Sequence, residues 1–140
     1  KDTGDVFTWL DGALIVAYIA LVALVLGGAI RLGIGVAARL ARLDWRALAL
    51  GLTPLAGVGL FLGLSMMTAN HLRAEGVPLG WVSPVRIGLL ALGVVWSGWL
   101  GVRLIGTSNI PLTRRFAAAG SYALPLVAIG GAWVLTLFVW

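Results

Sequence analysis

The sequence predicts an all-α integral membrane protein, a bundle of four transmembrane helices within one membrane domain over residues 1–140. Hydrophobic residues make up 61% of the chain and charged residues 11%, whereas about a quarter of the residues in a soluble domain are charged. Four apolar runs, each near the ~20 residues that cross a bilayer, occupy almost the whole chain. We therefore expect no soluble catalytic domain within these residues.

The predicted spans cover residues 10–32, 47–68, 84–105 and 116–140. Asp11 lies one turn inside the first span, where we expect it to cap the helix, with a proton-relay acid as the alternative. Pro54 predicts a kink in the second span because proline removes a backbone donor. Pro84 opens the third span at a position that tolerates proline. Because the chain begins with Lys1, we expect its N-terminus to be incomplete.

Small residues recur at helical spacing in three of the spans. They are Ala13, Ala17, Ala20, Ala23 and Gly27 in the first, Gly59 and Gly63 in the second, and Gly93, Ser97 and Gly101 in the third. Small side chains let two helices approach closely in a membrane. These faces predict packing within the bundle or against a neighbouring subunit.

A basic cluster follows the first apolar run, with Arg31, Arg39, Arg42 and Arg46 around the single Asp44. The arginines fall at helical spacing and have long apolar stems, so the first helix is able to continue through them. We interpret the cluster as an orientation signal, with an anionic-lipid site at the cytoplasmic face as the alternative. These loop arginines explain the net charge of +5 without a nucleic-acid partner.

The distribution of basic residues predicts how the chain is threaded. The first and third connections hold Arg31, Arg39, Arg42, Arg46, Arg103, Arg114 and Arg115, and the other side holds Lys1, Arg73 and Arg86. By the positive-inside rule, both termini are then outside. We expect a multi-pass protein of the bacterial inner (cytoplasmic) membrane with both termini in the periplasm.

The segment 65–81 is the most polar interruption of the apolar runs and contains the only histidine, His71. Together with Asn70, Arg73 and Glu75 it offers a base, an acid and amide donors, the groups that hydrogen-bond a quinone headgroup and move protons. The same residues suit a loop that contacts a partner protein. His71, Asn70 and Arg73 are therefore candidate cofactor-binding residues, and we expect no catalytic or metal site in this chain alone.

A haem held by this chain would need help from a partner. His71 is a single axial ligand, and Met67, one turn earlier on the same helical face, does not reach the opposite face of the iron. The alternative is an interfacial histidine bonded to water and backbone. Trp96 is the fourth candidate cofactor residue, because Trp96 and Trp99 lie inside the third span, where indoles pack against lipid and helices or flank a haem or quinone.

Two runs resemble the membrane-spanning part of bacterial membrane-bound polyferredoxin-type electron-transfer proteins. They are TPLAGVGLFLGLSMMTANHLRAEG (residues 53–76) and ALGVVWSGWLGVRLI (residues 91–105). In that family a helix ending in His-Leu and a small-Gly turn precedes another helix with a Trp-Ser pair, so His71 and Trp96 occupy matching positions. The chain has no cysteine, so the resemblance implies a membrane fragment or companion subunit, with any redox centre elsewhere.

Two hypotheses for the function follow. In the first, the chain is a membrane anchor subunit of a respiratory or other electron-transfer complex, which positions redox partners and lines a quinone or haem site shared with a partner. In the second, it is a non-redox membrane scaffold, assembly factor or transporter accessory subunit that packs on other membrane subunits. Because the GxSxG, HExxH and Walker patterns are missing, we do not expect hydrolytic chemistry, or catalysis by this chain alone.

Overall fold

The computed structural model describes residues 8–138, and the side chains of residues 8–136. Over this range the chain is helical, without strands, and forms α1 (Trp9–Ala41), α2 (Trp45–Leu50), α3 (Thr53–Ala74), α4 (Val82–Gly106) and α5 (Leu112–Phe138). All but the short α2 are long and apolar enough to cross a membrane, which gives four candidate spans. The all-helical class and the number of candidate spans are thus confirmed. The predicted end of the last span, at residue 140, lies outside the described range.

Helix α1 has well-formed caps at both ends. Thr8 is its N-cap, and the Asp11 carboxylate accepts a hydrogen bond from the Thr8 backbone N–H at 2.8 Å. Asp11 therefore has the expected capping role. The helix does not stop at residue 32 but continues to Ala41, where Arg42 closes it in the left-handed conformation with φ 55. The extension is stable because Ile34 and Ala38 on this part of the helix are buried in the core.

The second predicted span is divided, and this corrects the expected kink at Pro54. Helix α2 begins after Asp44, whose side chain accepts a hydrogen bond from the Arg46 backbone N–H at 3.1 Å. After Gly51 and Leu52, a new helix, α3, starts with Pro54 in its first turn. Proline is well tolerated there because the first backbone N–H groups of a helix have no partner within the helix. Pro54 thus starts a helix instead of bending one.

The long helices pack side by side in the order α1, α5, α4, α3, and α2 fills the space between α1 and α4. Neighbouring helices run antiparallel. Leu55 near the start of α3 is bonded to Ser97 in the middle of α4, whereas Ser65 further along α3 is bonded to Arg86 near the start of α4. The core is centred on Tyr122 of α5, together with Leu48, Leu62 and Ile105.

Small residues form the contacts between α3, α4 and α5. Gly93, Ser97 and Gly101 are all buried, and a Cβ atom at Gly93 would lie 3.1 Å from the side chain of Val58. Gly59 of the GxxxG pattern faces the indole of Trp133. The predicted packing role of these two faces is therefore confirmed within the bundle. By contrast, Ala13, Ala17 and Ala20 of α1 are exposed.

Candidate functional site

Three of the predicted site residues lie together on the last turns of α3. Because α3 runs to Ala74 and not to the predicted residue 68, Asn70, His71 and Arg73 belong to the helix itself. Glu75 follows as the C-cap residue, and Gly76, with φ 80, turns the chain away from the helix axis. The helical backbone fixes the spacing of these side chains at one end of the bundle.

The last turns of α3 with Asn70, His71, Arg73 and Glu75 are here called the polar helix end. Its histidine and its glutamate form a weak pair. The His71 Nε2 atom lies 3.7 Å from the Glu75 Oε1 atom, one helical turn away, and the two side chains are 82% and 61% exposed. This distance is too long for a hydrogen bond, and exposed ion pairs contribute little to stability. Asn70 and Arg73 are exposed as well. The donors and acceptors of the polar helix end therefore face outward.

Trp96 does not join this group. It lies in the middle of α4 beside Ser97, which is bonded to Leu55 near the start of α3. His71 is about 24 Å further along α3 at 1.5 Å per residue. The Trp96 side chain is 52% exposed and Trp99 is 55% exposed, so both indoles lie on the outer surface of the bundle. Contact with lipid and a position beside a haem or quinone both stay predictions for these tryptophans.

Arg86 anchors α4 to α3 close to the polar helix end. Its Nη2 atom donates a hydrogen bond to the Ser65 carbonyl at 3.2 Å, and its Nε atom is buried without a partner among the described residues. From the sequence, Arg86 was used only as one of the basic residues that predict the orientation in the membrane. The structure adds a positive charge held between two spans, on the same side of the bundle as His71.

The sequence did not reveal a buried hydrogen-bonded node at the break between α2 and α3. The backbone N–H of Leu55 donates to Ser97 Oγ at 3.0 Å, and the Tyr122 hydroxyl donates to the Ser97 carbonyl at 3.3 Å. Ser97 is fully buried and Tyr122 is 1% exposed. The Ser97 hydroxyl thus accepts a first-turn N–H of α3 that hydrocarbon would leave unsatisfied. The signal available in the sequence was a serine within a glycine repeat.

A second unpredicted feature is a groove of about 840 Å³ between the C-terminal half of α1 and α2, here called the basic groove. Its lining consists of Gly27, Ile30, Arg31, Ile34, Gly35, Ala38, Arg39, Arg42, Leu43, Asp44, Trp45 and Ala49. Apolar residues therefore form much of its wall, and arginines supply its charge. The sequence showed the arginines but not the concave surface between the two helices.

Within the described residues, no three His, Asp or Glu side chains are grouped to hold a metal ion. Comparisons with protein-family models, with curated proteins and with solved structures find no match.

Proposed function

We propose that this chain is a membrane anchor subunit of a bacterial electron-transfer complex, and that it meets its redox-bearing partner at the polar helix end. The observation that carries the proposal is the outward display of Asn70, His71 and Arg73 on one helix end. Such a surface presents an imidazole, an amide and a guanidinium to whatever lies beside it at the membrane boundary. These groups hydrogen-bond a partner protein or a quinone carbonyl.

The exposure of His71 favours a shared cofactor site over a self-contained one. One imidazole at the protein surface occupies one side of a haem iron, and a second axial ligand would have to come from the partner. A quinone at the same place would accept hydrogen bonds from His71 and Asn70 while its tail lies in the lipid. The electron-transfer assignment itself rests on the resemblance of residues 53–76 and 91–105 to the polyferredoxin-type membrane segments.

We infer further that the polar helix end faces the periplasm and that the protein lies in the inner membrane. The excess of arginine at the opposite end of the bundle supports this orientation. Exposed aromatic residues accompany both ends: Trp9 and Trp81 on the side of His71, and Trp45 on the other side. Tryptophan is enriched at both membrane interfaces, so this pattern supports helix ends that lie at the two interfaces. The arginines indicate which of the two ends is outside.

A non-redox scaffold, assembly factor or transporter accessory subunit is the second candidate. The separation of Trp96 from His71 favours it, because the two positions that match the polyferredoxin-type proteins do not contribute to one site. A scaffold of this kind would use the same exposed helix end to contact a partner, without a cofactor between them.

Purification in mild detergent tests the first candidate against the second. The tagged full chain is isolated from its native membrane, its absorption spectrum is recorded, and the co-purifying chains are identified. We expect a partner that carries haem, flavin or iron–sulfur absorbance. A stable complex with membrane proteins that carry no redox group would contradict the electron-transfer assignment and favour the scaffold.

The substitution His71→Ala tests the role of the polar helix end. We expect normal insertion and expression, because the side chain is exposed. We expect the rate of electron transfer in the assembled complex to fall at least about tenfold, because proton transfer by a positioned side chain contributes at least this much. The matched control is Asn109→Ala, an exposed polar residue in the connection between α4 and α5. Turnover at the wild-type rate in the His71 variant would contradict a role in electron transfer.

A further inference from the structure

Three arginines line the basic groove without a carboxylate partner. Arg31, Arg39 and Arg42 all contribute to its wall, and the His71–Glu75 pair at the other end of the bundle is the one ion pair found among the described residues. The only acid in the lining, Asp44, has a carboxylate oxygen that accepts a hydrogen bond from the Arg46 backbone N–H at 3.1 Å. The groove thus carries an excess of positive charge.

The position of these arginines makes this charge costly to leave uncompensated. Arg31 lies about 15 Å before the end of α1 at 1.5 Å per residue, inside a helix that is apolar enough to span the membrane. Charged side chains at such positions are expensive unless they reach the headgroup region or find a counter-charge. Arg39 and Arg42 follow toward the helix end, so the three arginines are spread along the α1 wall of the groove.

The rest of the groove is apolar. Ile30, Ile34 and Ala38 line it from α1, and Leu43 and Ala49 line it from the connection and α2. Gly35 lies between the arginines, and a Cβ atom there would meet nothing within 4 Å. An occupant that matches this surface has an anionic group at the arginines and a hydrocarbon chain along the apolar wall.

We propose that the basic groove is a specific binding site for an anionic phospholipid. The headgroup phosphate binds Arg39 and Arg42 near the end of α1, because guanidinium groups offer forked donors to phosphate oxygens. Arg31, about 12 Å from Arg39 along the helix at 1.5 Å per residue, adds positive charge to the wall of the groove. One acyl chain lies against Ile30 and Ile34. Trp45, which is 58% exposed at the mouth of the groove, lies at headgroup depth. A soluble phosphate ion would satisfy the arginines but leave the apolar wall uncovered, so the lipid is the better match.

Lipid titration of the purified full chain in uncharged detergent, followed by native mass spectrometry, tests the site. We expect phosphatidylglycerol to bind at least about tenfold more tightly than phosphatidylcholine with the same acyl chains, since each arginine near a membrane surface contributes about 1 kcal/mol toward anionic lipid. The paired variant Arg31→Gln/Arg39→Gln should lose this preference. The matched pair Arg103→Gln/Arg114→Gln removes the same charge at the same end of the bundle and should keep it.

Equal binding of the two lipids by the wild-type chain, or an equal loss in both arginine pairs, would overturn the proposal. Inorganic phosphate distinguishes a site for a lipid headgroup from a site for a soluble anion. We expect added phosphate to leave phosphatidylglycerol bound. Displacement of the lipid at equal concentration would mean that the groove is a site for a soluble anion.

A second variant tests the groove without changing its charge. Gly35→Leu places a side chain in open space within the groove, so the fold should tolerate it while phosphatidylglycerol binding falls. Gly120→Leu is the matched control, because Gly120 of α5 also has open space at its Cβ position but does not line the groove. Unchanged lipid binding by the Gly35 variant would show that the lipid binds elsewhere.

Discussion

At the scale of single residues, Ser97 shows how a broken helix is accommodated inside the bundle. The start of α3 leaves backbone N–H groups without helical partners, and hydrocarbon offers them no water. Ser97 comes from another helix, yet its hydroxyl accepts the Leu55 N–H and its carbonyl accepts the Tyr122 hydroxyl. One serine therefore links α3, α4 and α5.

The variant Ser97→Ala should lower the free energy of unfolding by about 1–2 kcal/mol, because it leaves the Leu55 N–H buried without an acceptor. Unfolding of the purified chain in mixed micelles measures the change. The matched control is Ser121→Ala, whose hydroxyl donates only to the Ala117 carbonyl of its own helix at 2.9 Å. We expect a change within about 0.5 kcal/mol for the control; equal changes for the two serines would contradict the role of Ser97.

At the scale of helices, the buried face of α4 determines how closely its neighbours pack. Gly93 contacts Val58 of α3, and Gly101 lies directly against the ring of Tyr122 in α5. Without side chains at these positions the helices approach to van der Waals contact, which is the main attraction between helices in lipid. The α4–α5 contact therefore depends on the absence of a single methyl group at residue 101.

The variant Gly101→Ala should destabilise the chain by about 1–3 kcal/mol, the usual cost of overpacking, since its Cβ atom would overlap the Tyr122 ring. Gly106→Ala is the control: it lies at the end of the same helix with nothing within 4 Å of its Cβ position. The control should be neutral or slightly stabilised, because alanine is the better helix former. Thermal unfolding in detergent compares the two variants, and a Gly101 variant as stable as the control would contradict this packing.

The elements differ in how well the sequence predicts them. Run length is sufficient to locate four spans, because hydrocarbon thickness sets a minimum number of apolar residues. Run length does not show what Pro54 does, because proline kinks a helix when it is interior and starts one when it is in the first turn. At the new helix start the Leu55 N–H finds its acceptor in Ser97, which lies far along the chain. Likewise, the contact between Gly59 and Trp133 joins two helices that are far apart in the sequence, so no local pattern predicts it.

The candidate site was predictable in part for a similar reason. Asn70, His71 and Arg73 are evident in the sequence because they interrupt an apolar run, and helical spacing brings them together whatever the tertiary structure is. Trp96 was grouped with them because it lies inside the third span and at a position that matches the resemblance, and the antiparallel packing of α3 and α4 places it far from His71. The concave surface beside Arg39 arises from the packing of α2 on α1, which no local pattern shows.

At the scale of the whole molecule, the alternating directions of the long helices bring the start of α1 and the end of α5 to the same end of the bundle. Residues from Tyr18 to Leu26 of α1 and from Ala128 to Thr136 of α5 line one groove, whereas Gly33, later in α1, lies against Pro125, earlier in α5. The polar helix end belongs to this end, and the basic groove to the other. The two proposed sites therefore lie at opposite ends of the bundle.

Cysteine labelling of intact cells tests the proposed orientation against a clean background, because the chain has no cysteine. Ser83→Cys lies near the polar helix end and should react with a membrane-impermeant reagent. Asn109→Cys lies at the opposite end and should react only after permeabilisation. Asn109 is used because it is exposed, whereas the neighbouring Ser108 is buried. The reverse labelling pattern would overturn the periplasmic placement of His71.

Site-specific photocrosslinking tests whether the polar helix end is the surface where this subunit meets its redox-bearing partner. A photoreactive amino acid replaces Asn70 in one strain and Asn109 in another. Both asparagines are exposed, and they lie at opposite ends of the bundle. After irradiation, we expect position 70 to give an adduct with a redox-bearing membrane protein and position 109 to give none with it. Adducts with that protein at both positions, or at neither, would contradict this placement of the partner.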